Sequence, residues 1–265
     1  MESLSFFFAF VFGLIIGSFL NVVALRFGIR KVTKGRSMCF SCGKVLTALE
    51  LIPLFSFLFL KGKCYKCKTP ISWRYPLVEL GTGLMFGLTA LVAENISYFL
   101  FFGTVFSVLI VISLYDAKHK IIPDSLSFTF GCLGFVYYLV TFAGQYASVE
   151  SLLHLIAGPF LFLPFFLVWF LSGGAWMGLG DAKLAVGIGW LLGLAGGLSA
   201  VIIGIWAGAI WSVTLMLLQK ARARKQLTMK SEIPLAPFLI LGTFISFLIQ
   251  PDIFNIDLWI QLFLN

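Results

Sequence analysis

From residue 184 to residue 219 the chain runs for 36 residues without a charged side chain. As one helix that run would be roughly 54 Å long, well beyond the about 30 Å of a bilayer's hydrocarbon core. It reads as two membrane-crossing helices, with the chain turning in LAGGLSA at 194–200. Further apolar stretches, each close to the about 20 residues a spanning helix needs, fall at 4–25, 76–93, 95–115, 125–143, 152–172 and 233–250. Short polar breaks such as AEN at 93–95 and GQYASVE at 144–150 separate them. The first is too long for a signal-peptide core and lacks a basic start and a small-residue cleavage site, so it stays as a helix. With 60% hydrophobic and 11% charged residues, the expected fold is an all-α polytopic membrane protein. It is a bundle of about eight transmembrane helices with a small cytoplasmic lobe.

Basic residues set the orientation of such a bundle. Of the 19 Lys and Arg, eleven lie in 26–75, two in 117–124, one at Lys183 and five in 220–230. With eight spans every one falls on the same side, which is then the cytoplasm, and both termini lie outside. Glu94, Glu150, Asp252 and Asp257 fall on the outer side. The net charge of +8 thus reflects topology and contact with anionic membrane lipid, with no nucleic-acid partner implied. The chain divides into a first helix at 1–27, a lobe at 28–75 and a helical core at 76–265.

The lobe carries Cys39-Phe-Ser-Cys42 and Cys64-Tyr-Lys-Cys67. Two Cys-x-x-Cys knuckles turn four thiolates toward one metal, so the quartet reads as a structural zinc site. The alternative is redox-active or buried thiols; a reducing compartment disfavours disulfides. The apolar stretch at 48–60 is broken by Pro53 and is short for a span, so it reads as the core of the lobe or as an interfacial segment. Cys132, inside the fourth span, reads as packing only.

Three acids flank spans on the cytoplasmic side: Asp116 and Asp124 in LYDAKHKIIPDSL, and Asp181 in GLGDAKL. Asp116 ends the third span and Asp181 begins the sixth, at similar depth. Two carboxylates brought together share a proton, so one can act as base on a water while the other acts as acid. Gly178 and Gly180 remove side chains just before Asp181 and would let an extended substrate backbone approach it. The alternative for each aspartate is a helix cap or an ion pair with a nearby Lys. A proton-relay transporter is disfavoured because the acids cluster at one face. A non-enzymatic scaffold whose zinc lobe recruits partners is the other rival class.

The succession of GSFLNVVALR at 17–26, the paired knuckles, RYPLVEL at 74–80, the Asp-x7-Asp stretch ending at 124, and GLGDAKL resembles the type IV prepilin peptidases. These are bifunctional prepilin leader peptidase/N-methyltransferases of the inner membrane. The resemblance implies intramembrane aspartyl proteolysis of the Gly-x-Gly-Asp type, with Asp116 and Asp181 as the catalytic pair. The substrates implied are type IV prepilins or pseudopilins, cut after a glycine on the cytoplasmic side of their apolar helix. Asp124, the nearby competitor, reads as a turn residue or helix N-cap.

The same resemblance implies methylation of the new N-terminus from S-adenosylmethionine, the alternative being a peptidase without that activity. Glu79 is the candidate for this step, as a carboxylate able to receive an amine or cofactor cation, against a helix-start acid favoured by the macrodipole. Asn21, Lys183 and Asp124 are candidate supports of the catalytic site, against a helix-bridging Asn, a snorkelling Lys and a capping Asp. His119 reads as a solvated loop histidine. Two departures from the family stand out: Arg26-Phe27-Gly28 replaces Arg-x-Pro, and Pro234-Leu235-Ala236-Pro237-Phe238 replaces Pro-Phe-Gly-Pro-Phe. The second puts in question any close backbone contact the glycine provides.

Overall fold

A computed structural model of the chain describes residues 2–28, 35–146, 148–221 and 234–250. The basic run at 220–230, apart from the helical backbone up to Ala221, lies outside the described residues, as do Asp252 and Asp257. Among the described residues the protein is all helical, with isolated bridges Met38–Val45 and Lys63–Pro70 in the lobe. The helices are α1 (Glu2–Arg26), α2 (Phe55–Phe59), α3 (Arg74–Val92), α4 (Ile96–His119), α5 (Asp124–Thr141), α6 (Val149–Leu171), α7 (Leu179–Ala221) and α8 (Ala236–Ile249). Five of them, α1, α3, α4, α6 and α7, are long and apolar enough to cross a membrane; α8 is apolar and shorter. The chain forms two compact units, Met1–Val111 and Ile112–Asn265.

In the first unit α1 and α3 cross with their backbones almost touching. A methyl at Gly13 would stand 2.8 Å from the Thr82 carbonyl oxygen and 2.9 Å from the Cα of Gly83. Without a hydrophobic force between helices in lipid, such close backbone approach is what small residues contribute. Asn21 is buried at this crossing and donates from Nδ2 to the carbonyls of Gly17 and Tyr75 (3.3 and 3.4 Å). It bridges α1 and α3, the plainer of its two expected roles.

Between the knuckles, α2 buries only Phe57, whose ring meets Trp73 edge-on at 4.9 Å. Leu49, Phe55, Leu58 and Phe59 remain exposed, Phe59 by 84%. The apolar stretch at 48–60 therefore does not close into a core of its own.

In the second unit α5, α6 and α8 pack around α7. Gly193 interrupts α7 with φ 70° and ψ −170°, a conformation open to glycine. A methyl at Gly197 would lie 3.5 Å from the Cα of Gly189, whereas eight residues of continuous helix span about 12 Å. The chain therefore doubles back at Gly193. The expected turn exists, but it occupies this one residue, and 194–200 are helical.

Two helix defects in this region are repaired across the α6–α7 contact. Pro159 inside α6 has no N–H for the Leu155 carbonyl, and Trp190 Nε1 donates to that oxygen instead at 3.0 Å. The Trp190 carbonyl, four residues before the chain has turned, takes His154 Nε2 at 2.9 Å. The carbonyl can only accept, so Nε2 carries the proton.

Candidate active site

α4 continues one turn past Asp116 and ends at His119; Asp116 is therefore inside the helix, not at its end, and is 5% exposed. The backbone N–H of Ala236 reaches the Asp116 carboxylate. That N–H belongs to the first residue of α8, one of the donors a helix start leaves without an intrahelical partner. The position where the family carries glycine thus makes its backbone contact here with an alanine that is fully buried. The PLAPF motif was the signal for this residue, but only the fold ties it to Asp116.

Asp181 stands in the first turn of α7, its N–H directed at the Gly178 carbonyl (3.3 Å). The structure brings the Asp181 carboxylate within direct electrostatic repulsion of Asp116. Among the described residues, two buried side-chain polar atoms meet no protein partner: Asp116 Oδ2 and His119 Nδ1. They sit one turn apart on α4, and buried polar atoms without partners are rare enough to mark a site. His119 is half-buried with its ring 4.2 Å from that of Tyr115, so it is not the freely solvated side chain expected.

The two glycines differ. Gly178 is open, a methyl there meeting nothing closer than the Gly180 nitrogen at 3.9 Å and Asp181 Oδ2 at 4.0 Å. At Gly180 a methyl would stand 2.8 Å from Ile122 Cβ, so the space is filled by the loop before α5. Gly180 therefore serves packing and not substrate approach, a correction to the expectation. Asp124 takes the ion-pair alternative. The cap position of α5 is Pro123, and Asp124, 79% exposed, accepts from Lys183 Nζ at Oδ1 in a 2.6 Å ion pair. Lys183 thereby ties α7 to α5.

In the lobe the four Sγ atoms of Cys39, Cys42, Cys64 and Cys67 lie within 4.8 Å of one another. Cys39 and Cys67 are 3.7 Å apart, too far for a disulfide bond. A tetrahedral site with Zn–S near 2.3 Å sets its sulfurs about 3.8 Å apart, so the quartet fits zinc. The knuckles share one backbone form. Cys39 N–H donates to the Lys44 carbonyl and Gly43 N–H to Cys39; Cys64 N–H donates to Thr69 and Lys68 N–H to Cys64, all at 2.9–3.0 Å. The Thr69 hydroxyl and backbone N–H at Cys67 lower that thiol to about 6, while burial and the neighbouring thiols push Cys42 up to about 11, so the four sulfurs titrate as one set. Lys44 and Glu50 close the first knuckle with a 2.7 Å ion pair.

Glu79 lies in α3 and is 9% exposed. Its Oε2 accepts the Leu54 N–H at 2.8 Å, and Ser18 also bonds the carboxylate. Leu54 precedes α2 at φ 60°, a strained value for a branched side chain. Glu79 is thus a tether between α3, α1 and the lobe.

Residues 11–93 match the Bacterial Peptidase A24 N-terminal domain, and residues 103–213 match the Type IV leader peptidase family. The chain is 34% identical over 248 residues to a prepilin leader peptidase/N-methyltransferase of Bacillus subtilis (strain 168), covering 93% of this chain and 95% of that one. It is 33% identical to a protein of the same name from Burkholderia pseudomallei (strain 1026b), covering 89% and 82%. A third, from Stutzerimonas stutzeri, is 30% identical, covering 91% and 89%. No solved structure matches the chain. Similarity of this extent, spanning both units, establishes that the chain belongs to the type IV leader peptidase family.

Proposed function

We propose that the protein cleaves the leader from type IV prepilins or pseudopilins at the cytoplasmic face of the inner membrane and N-methylates the new terminus. The observation that carries the proteolytic reading is the approach of two carboxylates, one with a buried oxygen that no protein group meets. One carboxylate takes a proton from water as its oxygen attacks the scissile carbonyl carbon; the other, protonated, hydrogen-bonds the carbonyl oxygen. Proton return to the peptide nitrogen releases the C–N bond, leaving a carboxyl group on the leader and an amine on the pilin. Asp116 and Asp181 perform these roles in the proposal, and Gly178 leaves a path for the substrate strand.

Counting both halves of α7 and the shorter α5 and α8 with the longer helices gives eight crossings. With eight, the basic residues fall on one side, which supports cytoplasmic knuckles and aspartates and both termini outside. The knuckle cysteines would hold zinc as a structural ion of the lobe. The exposed apolar side chains of α2, tied by Leu54 to the membrane helix α3, support an interfacial seat for that segment. S-adenosylmethionine would supply the methyl group, and Glu79 serves that half of the protein by holding the lobe.

The test is cleavage of a co-reconstituted prepilin by Asp116→Asn and Asp181→Asn variants. Each should lose activity by about 10²-fold or more, the low end of what general acid–base groups contribute. Substantial cleavage by either variant refutes the assignment. Mass spectrometry of the processed pilin, with S-adenosylmethionine supplied, decides methylation separately.

A further inference from the structure

Lys183 lies two residues past Asp181 and so about 200° around α7. On that opposite face Lys183, Val186 and Trp190 form one wall of an open, largely apolar cleft of about 630 Å³. The other wall is one stripe of α5, from Asp124 through Phe128, Gly131 and Cys132 to Val136. Twelve residues of helix make that stripe about 18 Å long. Small residues lie midway along it: a methyl at Gly131 would meet nothing within 4 Å, and Cys132 is an exposed free thiol. The cleft has the length and, at 131–132, the small residues that close helix packing in lipid uses.

Its mouth selects among occupants. The ion pair there exposes the carboxylate more than the ammonium, 79% for Asp124 against 37% for Lys183. A phospholipid phosphate would meet that carboxylate, whereas a peptide with a cation at the end of its apolar segment complements it. We infer that this cleft seats the apolar helix of the substrate, with a basic residue beside its cytoplasmic end at Asp124. This rests on the leader-peptidase reading and adds where that substrate binds. From the mouth, about three extended residues cross the roughly 10 Å breadth of α7 to reach Asp181.

The native thiol of Cys132 provides the test. Prepilins carrying single cysteines along the apolar helix are reconstituted with an Asp181→Asn protein and oxidised. Cross-links to Cys132 should recur every three to four positions and vanish in Cys132→Ser. In a protein with both aspartates, Gly131→Trp should raise KM for membrane-embedded prepilin about tenfold or more. Cleavage of a soluble peptide lacking the apolar helix should be unchanged. If wild-type protein cleaves prepilin but Cys132 forms no cross-links, or a folded Gly131→Trp keeps its KM, the seat is overturned and the peptidase reading stands. A lipid occupying the cleft during unimpaired cleavage overturns it likewise. Failure of wild-type protein on both substrates overturns both.

Discussion

Gly43 and Lys68 hold the same place in the two knuckles, at φ +67° and +59°, yet only one of them is suited to it. A non-glycine residue in the left-handed region costs about 1–2 kcal/mol. A methyl at Gly43 meets nothing within 4 Å, so Gly43→Ala carries the backbone cost less the about 0.5–1 kcal/mol of unfolded-chain entropy that glycine adds. Because metal binding and folding of such a lobe are coupled, the net cost should appear as zinc affinity weakened roughly 2- to 5-fold. Lys68→Gly relieves the same strain but adds about 0.5–1 kcal/mol of unfolded-chain entropy. It also removes the Lys68 ammonium from the Tyr65 ring, 5.3 Å away, while Lys44 keeps its place over that ring at 4.9 Å. The net gain is about 0.5 kcal/mol, or roughly twofold tighter zinc. The assay is competition with a chromophoric chelator on the purified protein. The decisive result is the sign: weaker binding on placing a side chain at 43, tighter on removing one at 68. Equal affinities in both variants would refute the equivalence of the knuckles and the metal reading built on it.

Glu79→Gln keeps an oxygen acceptor for Leu54 and should retain methylation, while Glu79→Ala should lose it together with tight zinc retention; loss in both would return Glu79 to a charge-dependent role. His154→Phe removes the donor to the Trp190 carbonyl and should lower stability by about 1–2 kcal/mol, read as a lower Tm in detergent, whereas His154→Gln should recover part of it. The Lys44 ammonium and the Thr47 N–H hold the Glu50 carboxylate below its usual 4.5. Its folded value being depressed, this stabilisation is complete above the unfolded value and disappears as pH falls through the folded one. Limited proteolysis of the lobe should therefore accelerate as pH falls below that usual value, and Glu50→Gln should accelerate it at neutral pH too.

Membrane segments were legible because hydrocarbon thickness imposes its length on any helix that crosses it. The break at 93–95 fills the gap between α3 and α4, and that at 144–150 lies between the end of α5 at Thr141 and the first turn of α6, which starts at Val149. The motifs drew attention to Asp116 and Asp181, whose carboxylates lie close enough for their charges to repel. What escaped were pairings between elements. Ile122 filling the place beside Gly180, Ala236 at Asp116 and Glu79 at Leu54 depend on how two helices meet, and each segment's own pattern is silent on that. Lys183 shows the limit well: beside Asp181 in sequence, it faces the other way and pairs with Asp124. Even the turn in α7 was displaced, since Gly193, Gly196 and Gly197 are alike as letters and only packing selects the one that bends.

The doubling back at Gly193 has a consequence for the solvent around Asp181. The half of α7 that carries it has 14 residues, as does α8, and each is therefore about 21 Å long. Neither matches a hydrocarbon layer about 30 Å deep. A bilayer around short helices thins, or lets headgroups and water sink to their ends. The helices that hold Asp181 and the backbone donor to Asp116 are thus the ones that draw water down to them. Hydrolysis, which consumes a water at every turnover, should then slow in bilayers of longer acyl chains.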